Sequence, residues 1–129
     1  MNQTLQDLKT RRSCRKYRPE QIEESELEQI LEAGTFAATG MGMQSPKIVV
    51  VQDKETIKTL SKMNAKIMGV TSDPFYGAPT VLIVLADKSR RTYLEDGSLV
   101  MGNLMNAAHA VGVASCWIHR AKEEFESEE

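Results

Sequence analysis

Cysteine is scarce in this chain, and its scarcity narrows the class of protein. Only Cys14 and Cys116 occur among 129 residues, which excludes a disulfide-dense secreted scaffold, although a single bridge stays possible. Long apolar runs are also missing, since the longest, at residues 81–86, is too short to span a membrane. Residues 1–9 contain no apolar core of the signal-peptide kind. We therefore expect a protein of the reducing cytoplasm, without a membrane partner.

The length and charge of the chain limit the number of domains and the kind of ligand it can bind. A chain of 129 residues with 41% hydrophobic residues fits one domain over residues 1–129, with no internal repeat or linker. The net charge is −2, from 16 basic and 18 acidic residues, which argues against a general nucleic-acid binder. Five of the basic residues nevertheless fall within eight positions: Arg11, Arg12, Arg15, Lys16 and Arg18. This basic segment suits a small anionic ligand, although by composition alone a solvated basic turn is the more ordinary explanation.

Periodicity and capping residues predict strands that alternate with helices. Helices are predicted at residues 4–9, from Ser25 with Glu28 completing a capping box, from Asp53 to Met68, at residues 96–112, and from Glu123 onward. Strands are predicted at residues 47–52, 80–86 and 113–118. The helix at residues 96–112 is apolar almost all round, which predicts burial at a domain centre or a subunit interface. Because helices separate the strands, at least part of the sheet should not be a simple hairpin.

Two polar patterns have ordinary explanations that we prefer. Cys116 and His119 have a Cys-x-x-His spacing, but no second ligand pair exists, and in a strand the two would point to opposite faces. We therefore expect no metal site and no Cys–His nucleophile there. Asn103, Asn106 and His109 share one stripe of the apolar helix, which predicts a hydrogen-bonded polar seam.

Four segments, taken in order, resemble the FMN-dependent nitroreductase family. They are the Arg-Arg-Ser-x-Arg segment at residues 11–15, the glycine-containing loop at residues 38–46, the Tyr-Gly-Ala-Pro turn at residues 76–79, and residues 96–118 with their Asp-Gly-Ser and Ser-Cys-Trp-Ile sequences. The likeness runs in the same order over nearly the whole chain. It implies an α+β, nitroreductase-like fold: a mixed, mostly antiparallel sheet flanked by helices, in an intertwined homodimer.

The resemblance also implies an FMN site at the dimer interface. Arg11, Arg12 and Ser13 would hold the phosphate and ribityl end, and Arg15 would reach the pyrimidine edge of the flavin. Ala38, Thr39 and Gly40 would come from the partner chain and line the ring, while Asn64 would lie at the flavin edge. The last implied group is the backbone near the flavin N5, at Trp117, Ile118, His119 and Arg120.

The implied activity is that of an NAD(P)H-dependent flavin oxidoreductase. NAD(P)H would deliver hydride to FMN, which would pass the electrons to a small acceptor, such as a nitroaromatic or a quinone, in ping-pong order. No side chain needs to act as acid or base, so no catalytic side chain is predicted. Two alternatives stay open: a flavin-binding protein without turnover, and a basic-arm protein that binds nucleic acid, which the overall acidity disfavours.

Three departures from the family pattern are visible in the sequence. Ala38 stands where the family often has proline, and Gly42 stands where it often has asparagine. Family members also usually continue beyond the position of Glu129, into a segment that contacts the phosphate and the partner subunit. We therefore expect a C-terminally truncated version of the fold that holds FMN weakly or is inactive.

Overall fold

The computed structural model describes residues 2–126 and contains five α-helices and two strands within them. In chain order the elements are α1 (Gln3–Thr10), α2 (Glu24–Thr35), β1 (Lys47–Val51), α3 (Lys54–Met68), β2 (Val81–Leu85), α4 (Tyr93–Ala110) and α5 (Ala121–Glu126). A single 3-10 turn, Gly40–Gly42, lies between α2 and β1. No helix in the described part of the chain is both long enough and apolar enough to cross a membrane.

The capping residues at the helix ends agree with the sequence prediction for α3 but not for α2. Asp53 caps α3 by accepting a hydrogen bond from the Thr56 backbone N–H at 2.9 Å, and Gly69 ends the helix with a φ of 77°, as the sequence predicts. The predicted capping box at Ser25 is wrong, because α2 begins at Glu24 and Ser25 is already helical. The predicted helix at residues 4–9 begins one residue earlier, at Gln3. The N-cap of α1 is Asn2, whose side-chain oxygen accepts a hydrogen bond from the Thr4 backbone N–H at 2.8 Å.

The two strands form an antiparallel pair that is not a hairpin. Lys47 pairs with Leu85 and Val51 with Val81, while α3 lies between the strands in sequence. The predicted non-hairpin connection and the predicted α+β class are therefore confirmed. The third predicted strand is wrong: residues 113–118 form no ladder, because β1 and β2 pair only with each other in the described sheet.

Helix α4 packs against α2 along one stripe. Val100, Leu104 and Ala108 recur every four residues on its buried face and meet Ile30 of α2. The two helices approach closely because Gly34 has no side chain; a Cβ there would lie 2.6 Å from Leu104 Cδ2. The opposite face is not covered by residues 2–126, since Leu99 is 50% exposed. The helix is therefore not buried on all sides at the centre of the described domain, and its burial at a subunit interface stays a prediction.

Polar residues of α4 tie it to its neighbours. Asn103 donates to the Ala33 carbonyl of α2 at 2.9 Å. His109 Nε2 lies 2.8 Å from Thr10 Oγ1, and because that hydroxyl donates its proton to the Gln6 carbonyl, the imidazole is the donor. The predicted hydrogen-bonded seam is thus confirmed at Asn103 and His109.

Candidate functional site

The basic segment begins directly after α1, and its first two arginines have different surroundings. Arg11 is half-buried, and its Nη1 atom is shielded from solvent without a hydrogen-bond partner in the described structure. Arg12 is exposed and donates from Nη1 to the Lys9 carbonyl at 2.8 Å and the Arg11 carbonyl at 2.7 Å. A buried, unpaired guanidinium nitrogen is costly, and an anionic ligand would satisfy it. Ser13 follows as an exposed residue.

Arg15 lies in a cleft with the predicted segment near the C-terminus. The cleft has a volume of about 520 Å³. It brings together Arg15, Trp117, Ile118, His119 and Arg120, with Ile67, Tyr76, Cys116 and Glu123 completing the walls. The Trp117 and His119 rings stand 6.0 Å apart, at 48° to each other. Two arginines and three aromatic rings therefore line one cavity, which suits a flat ligand with negatively charged edges.

The basic segment is held against this cleft by hydrogen bonds of the backbone. The Cys14 N–H donates to the Ser115 carbonyl at 3.0 Å, and the Tyr17 hydroxyl donates to the Cys14 carbonyl. Burial, together with the nearby Cys116 thiol, raises the pKa of Tyr17 to about 12. Tyr17 therefore stays a neutral donor and keeps the segment in place at neutral pH.

Two buried polar side chains, Asn64 and Glu124, hold Arg120 in place through successive hydrogen bonds. Its Nη1 atom donates to Asn64 Oδ1 at 3.0 Å, and Asn64 Nδ2 donates to Glu124 Oε1 at 3.0 Å. Asn64 is 0% exposed and Glu124 is 1% exposed. Burial raises the pKa of the Glu124 carboxyl, an effect that the hydrogen bond from Asn64 partly offsets. Asn64 thus lies under the cleft, and its contact with a cofactor stays a prediction that would require Arg120 to move.

The loop with Ala38, Thr39 and Gly40 does not line this cleft. Its backbone is anchored on α4, because Gly40 N–H donates to Asp96 Oδ1 at 2.9 Å and a Cβ at Gly40 would overlap the Thr92 hydroxyl. Ala38 is exposed, and the next turn carries Met41 with a φ of 56° and 90% of its surface exposed. Thr39 lines a separate pocket of about 300 Å³ beside β1. The loop therefore presents its residues outward, away from the cleft of its own chain.

Two residues that matter to the site were not among the predicted ones. Asp96 is buried and holds both Gly40 and the Thr92 hydroxyl, yet in sequence it signals only a helix start. Tyr76 lines the cleft, although the sequence marks its turn only through the family likeness. Its left-handed backbone, with a φ of 55°, has no local sequence signal that could have revealed it.

Comparisons with known proteins identify the family. The model of the nitroreductase family matches residues 8–124. A protein from Archaeoglobus fulgidus, whose name proposes NADH dehydrogenase or NAD(P)H nitroreductase activity, is 30% identical over 92% of this chain and 68% of its own length. A second protein with that name, from Methanothermobacter thermautotrophicus, is 26% identical over 88% of this chain, which spans only 59% of it.

A solved structure supports the same relationship. The crystal structure of a nitroreductase with bound FMN from Bacteroides fragilis superposes with a TM-score of 0.86 at 28% identity, covering 93% of this chain and 71% of that chain. The resemblance drawn from the four segments is therefore confirmed, as is the fold it implied. This chain belongs to the nitroreductase family.

Proposed function

We propose that this chain binds FMN and passes hydride from NAD(P)H to a small acceptor, such as a nitroaromatic or a quinone, in ping-pong order. The observation that carries the proposal is the buried, unpaired Nη1 atom of Arg11 at one end of a segment whose Arg15 lines an aromatic cleft. A relative with bound FMN and relatives named for NAD(P)H support the cofactor and the reductant.

The residues present fit such a cofactor. Arg11 supplies a desolvated cation for a phosphate, and bidentate guanidinium contacts are the strong form of that interaction. Arg12 and Ser13 are exposed beside it and would complete the phosphate and ribityl contacts. Arg15 would reach the pyrimidine edge, while the backbone at residues 117–120 would face the reacting edge of the ring.

The chemistry belongs to the cofactor, and the protein supplies position and charge. When bound, FMN accepts two electrons as hydride and gives them up to a second substrate. Arg15 would stabilise the negative charge that reduction places on the pyrimidine edge, because a fixed cation in a partly desolvated cleft needs no reorganisation. Arg120, held by Asn64, would keep a second positive charge at the same cleft.

We further propose that the functional unit is a homodimer. None of residues 38–42 lines the cleft of its own chain, and the family resemblance assigns Ala38, Thr39 and Gly40 to the cofactor of the partner chain. The uncovered side of α4, marked by Leu99, offers an apolar surface for that association.

The test separates the two half-reactions. The protein is loaded with FMN without oxygen and mixed with NADH or NADPH, and bleaching of the flavin absorption is followed; menadione is then added. Bleaching by a nicotinamide and recovery with menadione are the expected results. Binding of FMN without bleaching would identify a flavin-binding protein that does not turn over, and an absence of FMN binding would refute the proposal.

A further inference from the structure

Tyr76 stands in the cleft wall with a backbone conformation that tyrosine rarely adopts. Its φ is 55°, and that of Gly77 is 75°. An L-residue with a side chain is strained in the left-handed region, whereas glycine is not. Such strain persists where surrounding contacts impose it. The backbone conformation at Tyr76 is therefore imposed by its neighbours.

Asp73 is the residue that imposes this turn. Its Oδ1 atom accepts from the Phe75 N–H at 2.9 Å and from the Ser61 hydroxyl at 2.6 Å, and its Oδ2 atom accepts from the Gly77 N–H at 2.8 Å. Ser61 belongs to α3, and Phe75 is buried. The turn is thus tied to a helix on one side and to an apolar anchor on the other.

The side chain of Tyr76 is free to meet a ligand. It is 37% exposed and lines the same cleft as Arg15 and Trp117. No hydrogen bond within residues 2–126 uses its hydroxyl, and its phenol lies near enough to Tyr17 to contribute to the raised pKa of that residue. A large aromatic surface that lines a cleft and is not packed into the core is suited to contact with a planar ring.

We propose that Tyr76 determines specificity for the electron acceptor: its ring contacts a planar aromatic acceptor, a quinone or nitroarene, in the cleft. This inference rests on the proposed function above. For a quinone, NAD(P)H supplies two electrons and one proton as hydride, water supplies the second proton, and quinol and NAD(P)⁺ are released. Tyr76 takes no proton or electron in this sequence. It holds the acceptor, and Arg15 and Arg120 favour the acceptor's electron-rich oxygens.

The first test compares two acceptors of different shape. Tyr76→Ala should raise the KM for menadione about fivefold, as expected for the loss of one aromatic pair of about 1 kcal/mol, whereas Tyr76→Phe should stay within about twofold because the ring remains. Ferricyanide has no planar ring, so its KM should not change in either variant. The affinity for FMN and the rate of flavin bleaching by NADH are measured in the same variants, so that a loss of cofactor binding is separated from a loss of acceptor binding.

A second readout needs no turnover. Trp117 is the one tryptophan of the chain and lies in the same cleft, so quenching of its fluorescence reports menadione binding to the FMN-loaded protein with reductant withheld. The dissociation constant should rise in Tyr76→Ala by the same factor as the KM. Matching urea unfolding midpoints would show that the variant is folded.

The positioning role of Asp73 has a matched control. Asp73→Ala removes the bonds that hold the turn and should raise the menadione KM as Tyr76→Ala does, without changing the ferricyanide KM. Asp87→Ala removes a similar turn carboxylate, which accepts from the Ser89 N–H and hydroxyl and lines neither of the two pockets described above. It should leave both KM values unchanged.

Three results would overturn the inference. An unchanged menadione KM and dissociation constant in Tyr76→Ala would show that the ring does not contact the acceptor. Equal losses with menadione and ferricyanide, or a weakened FMN affinity, would assign Tyr76 to the cofactor site. Failure of the proposed function would be recognised in the wild-type chain, which would then bind no FMN or transfer no electrons to menadione. Both proposals would be refuted by that result.

Discussion

Arg11 and Arg12 show how two identical side chains, adjacent in sequence, come to have different roles. The Arg12 guanidinium turns back onto the carbonyls at the end of α1, where a cation also interacts favourably with the helix dipole. The Arg11 guanidinium is carried inward and keeps an unpaired nitrogen. Sequence spacing cannot distinguish these environments, because the difference depends on the direction of the chain after α1.

Arg15 and Lys16 provide the sharpest test at the residue scale. Both side chains are exposed, but Arg15 lines the cleft and Lys16 does not. Arg15→Ala should weaken FMN binding by about ten- to a hundredfold, the value of a charge-assisted hydrogen bond of about 1.5–3 kcal/mol, and should slow flavin reduction. Lys16→Ala should change neither quantity by more than about twofold, because Lys16 does not line the cleft. Fluorescence titration with FMN measures the affinity of both variants, and the bleaching of flavin absorption by NADH measures the rate of reduction. Equal losses in the two variants would indicate a diffuse basic patch.

Glu124 gives stability a pH dependence that can be measured. Burial raises the pKa of its carboxyl above the ordinary value of 4.5, so the folded protein binds this proton more tightly than the unfolded chain does. The contribution of this group to stability is fully present below pH 4.5 and is lost as the pH rises through the raised pKa. Glu124→Gln removes the titrating carboxyl. The stability of the variant relative to the wild type should therefore increase as the pH rises above 4.5, in urea unfolding followed by Trp117 fluorescence; a difference that does not vary with pH would contradict this.

At the scale of elements, the predictions that succeeded depended on local contacts. Helix α3 follows from Asp53 and Gly69, whose capping bonds lie within a few residues. Strands β1 and β2 follow from β-branched runs of the right length. The segment at residues 113–118 has the composition of a strand, yet a ladder requires a neighbouring strand. In the described structure its backbone bond to a distant segment is the one from the Cys14 N–H to the Ser115 carbonyl, and its other backbone bonds are local. Pairing is a tertiary property that composition does not determine.

The candidate site was predictable to a similar degree. The family likeness assigns Arg15 and residues 117–120 to one cofactor, and the structure places them around one cleft, although they are far apart in sequence; their contact with FMN stays a prediction. It did not anticipate the burial of Asn64 beneath Arg120, because the partner of a polar group is decided by packing. Tyr76 was recognised only as part of a family turn and not as a residue of the site, since the backbone conformation of the turn depends on the hydrogen bonds of Asp73.

The contact between α2 and α4 can be tested at Gly34. An alanine Cβ would lie 2.6 Å from Leu104 Cδ2 and 3.0 Å from Ile48 Cδ1, so Gly34→Ala should overpack the core and destabilise the protein by about 1–3 kcal/mol. Glu32→Ala, on the exposed side of the same helix, should change stability by less than about 0.5 kcal/mol. Urea unfolding compares the two, and an unaffected Gly34→Ala would show that the helices have room to separate.

At the scale of the whole molecule, the distribution of apolar surface predicts a homodimer. Leu5 and Leu8 of α1, Leu99 of α4 and Met41 of the outward loop are all at least half exposed, and association with a second copy would cover such apolar side chains. Sedimentation equilibrium at micromolar concentration should give twice the chain mass of 14.4 kDa. Leu99→Asp should shift the protein toward monomer and weaken FMN binding together. A well-behaved wild-type monomer would refute the prediction.

The central claim is that the basic segment and the aromatic cleft form a flavin site, and the visible absorption spectrum tests it most directly. Purified protein is dialysed to equilibrium against FMN at low salt, where charge contacts are least screened, so that weakly bound flavin is also detected, and Arg11→Ala is treated in parallel. The account predicts an excess of flavin on the wild-type protein's side, with absorption bands shifted from those of free FMN, and little excess with Arg11→Ala. Equal FMN concentrations on the two sides, with an unshifted spectrum of the wild-type sample, would contradict it.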